Sequence, residues 1–308
     1  MFAKPRLVVA LLALAACSSD VNSPSSGTVT QWLVSAIELP LNASQADDFA
    51  YDLDGDGTPD NQFGNVLSAL TQAAGFDLQA GMDAGISDGD IVQLIRFQSD
   101  DATLTADAAA GATWYVGQTT AGYQVSPHQI DNTYDASVFA GPLSSSDYSS
   151  RNPATTTNPV AIMLPIRLFA SAPVVYVPMN GVHVEWSFTA TTGMMNGRIH
   201  GSIREADINT FLVPALAETF NAVITAAPAS DEAVALLDLF DVGGCGGATA
   251  DDGVISVCEL ENDNLIQTLL RPDATIYNAS GGYKPGAAGV PANALTFGVG
   301  FTAIRTTF

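Results

Sequence analysis

Val182-His183-Val184-Glu185-Trp186-Ser187-Phe188-Thr189 alternates apolar and polar side chains without a slip. Successive residues of a strand face opposite sides, so this run predicts a half-buried β-strand with the valines, Trp186 and Phe188 inward. Asn196-Gly197 predicts a turn into a partner strand at 198–203, because that dipeptide tolerates the positive φ of a tight hairpin. Residues 91–97, 113–117, 160–169 and 174–177 are short β-branched or aromatic runs punctuated by Gly, Ser, Asp and Pro, as strands are. Residues 295–308 predict a last strand, and 126–158 read as a long polar loop.

Helical periodicity is sparser. Phe63, Val66, Leu67, Leu70 and Ala74 recur at helical spacing, with Asp60 placed to cap the start. Residues 207–225 predict a helix kinked or restarted at Pro214, and Ser230 caps another at 231–240. Ser256 and Glu259 form a capping box opening a helix that ends at Arg271-Pro272. Together these elements predict an α+β fold: a β-rich body of sandwich-like antiparallel sheets with several helices. A late helix-loop-helix occupies 205–271 of a single domain spanning 31–308.

The chain has 308 residues, 47% apolar and only 14% charged, with 10 Lys and Arg against 32 Asp and Glu and a net charge of -22. Phosphate backbones and anionic headgroups are gripped by Lys and Arg, so nucleic acid and polybasic lipid binding are excluded as main functions. Lys4 and Arg6 precede ten apolar residues, 7–16, which as a helix rise about 15 Å, half the ~30 Å of a bilayer core. That is an export signal rather than a span. Leu14-Ala15-Ala16-Cys17 resembles a bacterial lipoprotein signal, which implies cleavage before Cys17, lipidation of its sulfur and, with Ser18 next, sorting to the outer membrane. An ordinary signal cut near Ala16 is the alternative. Residues 17–30 are then a lipidated, flexible tether. Loss of 1–16 leaves Cys245 and Cys258, an even pair that reads as a disulfide in an oxidising compartment.

Asp52-Leu53-Asp54-Gly55-Asp56-Gly57-Thr58-Pro59-Asp60 carries the sharpest chemistry. Alternate carboxylates in a tight loop aim hard oxygens at one centre, as calcium requires. Asp52, Asp54 and Asp56 supply side chains, Thr58 its carbonyl, and Asp60 binds directly or through water. The run resembles the first nine positions of EF-hand, dockerin and thrombospondin type 3 loops, but Phe63 replaces the acid at the twelfth, so a ligand must come from elsewhere, with Asp47 and Asp48 as candidates. The competing expectation is a solvated Asp/Gly turn. Asp241, Asp251, Asp252 and Glu259 form a second candidate site, matching the back half of an EF-hand loop, while Ala248 and Ala250 break its front half. A Cys245–Cys258 bridge would close about 14 residues there, contributing roughly 3 kcal/mol, and would serve instead of a metal. Asp88-Gly89-Asp90 reads as a plain turn.

Only His128, His183 and His200 offer imidazoles, and no hydrolase, P-loop or dinucleotide motif is present. His183 and Glu185 share one strand face, close enough to share an ion, although such residues are ordinarily solvated. A carboxylate pair of glycosidase type needs no motif. A membrane-spanning barrel ending at Phe308 is opposed by the lipoprotein-like signal, the capped helices and the lack of serial ten-residue alternating strands.

Residues 52–61, 152–159, 196–201, 245–259 and 295–308, above all Gly298-Val299-Gly300-Phe301-Thr302-Ala303, resemble uncharacterised lipoproteins of myxobacterial type. That resemblance implies export and acidic loops but no activity. The expected protein is lipid-anchored at the outer membrane, calcium-stabilised and non-catalytic, binding or scaffolding an unknown protein or glycan. The rival expectation is an anchored hydrolase acting on glycan or peptide.

Overall fold

The structure, a computed structural model, describes residues 27–119, 122–125, 137–156, 159–189, 194–243 and 252–308. The described residues form ten strands: β1 (Thr28–Glu38), β2 (Gln93–Ser99), β3 (Ala106–Thr119), β4 (Tyr123–Val125), β5 (Ser137–Ser144), β6 (Asp147–Ser149), β7 (Ala161–Ile166), β8 (Val175–Thr189), β9 (Met194–Arg204) and β10 (Ala294–Arg305). Eight of them run β2-β1-β10-β9-β8-β6-β5-β3, and β3 pairs back onto β2. The pairings are antiparallel throughout, so the sheet closes into a barrel, with β4 added to β3 and β7 to β8.

The fold is therefore a mostly β closed barrel, which corrects the expected α+β arrangement of sandwich-like sheets and helices. Alternation along a strand tells inside from outside but not whether the sheet meets itself. Closure depends on the β2–β3 and β1–β10 seams, and the second joins Trp32 to Arg305.

The barrel is filled by interlocked aromatic rings. Phe97 meets Tyr148, Trp186 and Phe188 with centroids 5.0–5.6 Å apart, and Trp114 meets Phe301 edge-on at 5.2 Å. Such pairs contribute about 0.5–1.5 kcal/mol each beyond area burial. Helices α1 (Ala43–Asp48), α2 (Gln62–Ala74) and α3 (Leu78–Asp88) precede β2. Phe63 of α2 packs edge-on against Phe297, which lies on the same face of β10 as Phe301. Between β9 and β10 come α4 (Glu205–Asp207), a π turn (Ile208–Leu212), α5 (Val213–Ala226), α6 (Asp231–Phe240), α7 (Val257–Asn262) and α8 (Asn264–Leu269). Glu205–Ala226 is long and apolar enough to cross a membrane by composition, but half of that stretch is buried within the fold.

Several local expectations also change. Asn196-Gly197 lies inside β9, where Gly197 pairs with Trp186 and Phe301 and lets those rings close over it. Residues 137–149, read as loop, contain β5 and β6. The helix opening at Ser256 breaks at Asp263, whose side chain caps α8. Asn61, not Asp60, caps α2. Ser230 and the Ser256–Glu259 capping box act as expected. Asp88 and Asp90 flank the turn at Gly89 and both contact Arg167 at 3.2 Å.

Candidate metal loop and the outer-wall cluster

Between α1 and α2 the chain crosses the outer surface of β9 and β10. Leu53 is 2% exposed, seated with Ala274, Ile276, Tyr277 and Ala294, so its neighbours in the alternation turn outward. One carboxylate oxygen from each of Asp52, Asp54 and Asp56 comes within 4.8 Å of the others, a group that can hold a metal ion. Backbone N–H groups set the loop. Asp52 Oδ1 accepts from Gly55 and Asp56, its Oδ2 accepts from Gly57, and Asp56 Oδ1 accepts from Thr58 at 2.7 Å. Gly55 and Gly57 have φ of 78° and 95°, values that a side chain would strain.

Asp60 forms an antiparallel bridge with Tyr51, closing the loop at its base. Burial, and then the charges of Asp273, Asp56, Asp54 and Asp52, push the Asp60 carboxyl up to about 7. Asp273 precedes β10 and its charge reaches Asp60; neither Asp273 nor Asp47 or Asp48 is part of the Asp52, Asp54 and Asp56 group. The Asp273 oxygens accept from the Thr296 N–H and hydroxyl. Thr275 N–H donates to Asp54 Oδ2 at 3.0 Å, fastening the loop to the same segment. Phe63, at the twelfth position, is 2% exposed in the core, so its place in the pattern serves packing.

The second acidic segment is built differently. Asp241 Oδ2 accepts from Gly253 N–H at 2.8 Å, and Asp252 Oδ1 accepts from Val254 N–H. Glu259, 1% exposed, accepts from Gly243 N–H at 2.7 Å and from Ser256 N–H at 2.8 Å. Burial works to raise its carboxyl, but these hydrogen bonds together outweigh it and hold the group low. Among the described residues, Asp241, Asp252 and Glu259 are not brought together as a metal cluster. Cys258 is disulfide-bonded. Cys17, Cys245, Asp251 and His128 lie outside the described residues.

Sequence reasoning placed His183 and Glu185 on a solvated face. His183 and its cross-strand neighbour His200 are instead each 1% exposed, covered by the Tyr51 ring at centroid distances of 4.1 and 5.1 Å. Phe49 O lies 2.8 Å from His200 Nδ1; a carbonyl only accepts, so Nδ1 carries the proton. Burial keeps His200 below the usual imidazole range, leaving a bare Nε2 that has no hydrogen bond and faces Glu185 Oε1 at 3.8 Å. Glu185 Oε2 is 3.9 Å from His183 Nε2, and Arg198 stands 3.6 Å from Oε1. His183 above all holds Glu185 below the carboxylate range against its burial. Burial, then Glu185 and Asp52, push the Tyr51 phenol up to about 12.

Ser149 Oγ lies 3.4 Å from His183 Nε2, while Ser150 Oγ is 3.0 Å from Nδ1. Serine and carboxylate thus share one nitrogen, and among the described residues no acid sits on the far side to orient the ring for nucleophile activation. Asn61 was also missed by sequence reasoning. It is 4% exposed, exchanges hydrogen bonds with both backbone groups of Gly298, and caps α2. An Asn directly after an acidic loop and before a helical face was the available signal. No family model matches the chain, and neither a curated protein nor a solved structure does.

Proposed function

We propose that the protein is a calcium-stabilised, non-catalytic binding or scaffolding protein, held to the outer membrane by a lipid on Cys17. The observation that carries the calcium assignment is the convergence of Asp52, Asp54 and Asp56 in a loop already folded around its own N–H groups. Calcium takes six to eight oxygens in flexible geometry, which suits carboxylates on a turn better than the strict octahedron of magnesium. Asp60 and the Thr58 carbonyl would complete the set, with Asp273, whose charge reaches Asp60, as a reserve. Bound cation would offset the burial and the neighbouring charges that raise Asp60 and would pin Tyr51 over the two histidines. Binding is thereby coupled to folding.

Calorimetric titration of the purified chain after exhaustive chelation tests the assignment. One saturable site, lost in Asp56→Ala, is expected. Absence of binding at millimolar calcium would reduce 52–60 to a solvated turn. The anchor is checked separately: Cys17→Ser should move the protein to the soluble fraction, and continued membrane association would refute it.

A further inference from the structure

The outer wall of the barrel carries an open groove of about 520 Å³ that crosses β1, β10, β9, β8 and β6. Cross-strand pairing sets its side chains in rows. One row runs Glu38, Gly300, Arg198, Glu185, Ser149, and the next runs Thr302, Asn196, Ser187, Asp147. Gly300 makes the depression. A Cβ there would lie 2.8 Å from the Phe49 ring and 3.2 Å from Glu38 Oε2, so any other residue would fill the space between Glu38 and Arg198. Two strand spacings, about 10 Å, separate those two positions.

The groups around this gap alternate in hydrogen-bonding sense. Glu38 offers an acceptor with no partner among the described residues, and Arg198 offers only donors. Asn196 Oδ1 accepts from the Thr302 hydroxyl, and its side-chain N–H groups have no partner among the described residues. Glu185 is an acceptor held by the buried His183 at 3.9 Å and by Arg198 at 3.6 Å. Such fixing lowers the ordering cost of binding.

We propose that the groove binds a neutral, hydroxyl-rich ligand, a saccharide. A hydroxyl both donates and accepts, so vicinal hydroxyls satisfy alternating carboxylate, guanidinium and amide groups, while the Phe49 edge faces carbon-bound hydrogens. Three carboxylates, Glu38, Asp147 and Glu185, against one Arg repel phosphate and other anions, and an apolar chain would leave the polar groups desolvated and unpaired. This ligand class rests on the binding role proposed above and is independent of the cation.

The test titrates the full chain with chitohexaose, cellohexaose and maltohexaose, with spermidine as a cationic comparator, each in calcium and in chelator. Saturable binding of at least one glycan is expected, weakened tenfold or more by Glu38→Gln and by Asn196→Ala. Both positions are exposed, and an unchanged melting curve verifies folding. Binding by none of the glycans, binding unchanged in both variants, or preference for spermidine overturns the proposal. Calcium binding measured on the same samples separates failure of the groove from failure of the metal loop.

Discussion

In loop 52–60 three carboxylates accept loop N–H groups and still converge near the surface, whereas Asp241 and Glu259 are buried on their backbone N–H donors and do not converge. Both segments are acidic, both sit beside helix starts, and both match part of one calcium-loop pattern. Burial separates them. Asp56 is exposed, while Glu259 is 1% exposed and Asp241 5%. A buried carboxylate must be paid with donors at once, and the donors nearest at hand are its own loop's amides. The lesson is that acid spacing marks a bent loop whose amides answer the carboxylates in both cases, and exposure decides whether their oxygens also gather into a group that can hold a metal ion.

The largest expected effect breaks the second segment. Glu259→Ala strips Gly243 and Ser256 of a charged acceptor and should destabilise the fold by about 3 kcal/mol. The loss should be equal with calcium and with chelator in denaturant melts, and a calcium-dependent loss would make Glu259 a ligand. Asp56→Ala should do the reverse, costing up to about 2.7 kcal/mol at calcium one hundred times its dissociation constant and little in chelator. Equal losses in both conditions would show that Asp56 acts without metal.

Titration sharpens the contrast. Asp60 holds its proton to about 7 in the fold but only to about 3.9 when unfolded. Between those values the folded state binds more protons, so the metal-free loop loses stability as pH rises from about 4 to about 7. Glu259 has the opposite sign. Its contribution is present above the unfolded value near 4.3 and disappears as pH falls through the lower folded value. Carboxyl NMR checks both, and an Asp60 midpoint near 4 in chelator would remove the distinction. The smallest effect is that of Ser256→Ala, about 1 kcal/mol for a lost cap. Its cost should not add to that of Glu259→Ala, because the two side chains share one capping box, and a double-mutant cycle measures the coupling.

The acidic loop was legible because its determinants lie within nine residues. The barrel was not. Leu295, Phe297, Val299 and Phe301 of β10 alternate with Thr and Gly, but Ala294 through Phe301 are buried on both faces, and the pattern does not tell which strands flank β10 or that the sheet closes. The outer-wall cluster fell between these cases. Alternation correctly put His183 and Glu185 on one face, but nothing local revealed that residues 49–51 would lie across that face and bury the imidazole. Its enabling residues are Gly298 and Gly300, where a Cβ would meet Phe49 O at 1.9 Å and the Phe49 ring at 2.8 Å. An absent side chain is hard to read until its neighbour is known.

The pairing of β1 with β10 sets the timetable of folding. Until residues 294–305 emerge, β1 and β9 each present an unpaired edge, and the aromatic rings of the interior have no closed wall around them. Long-range pairing of this kind is slow and leaves intermediates open to edge-to-edge association. A chain that stops short of its last strand would therefore be lost to aggregation rather than left as a weaker version of the same protein.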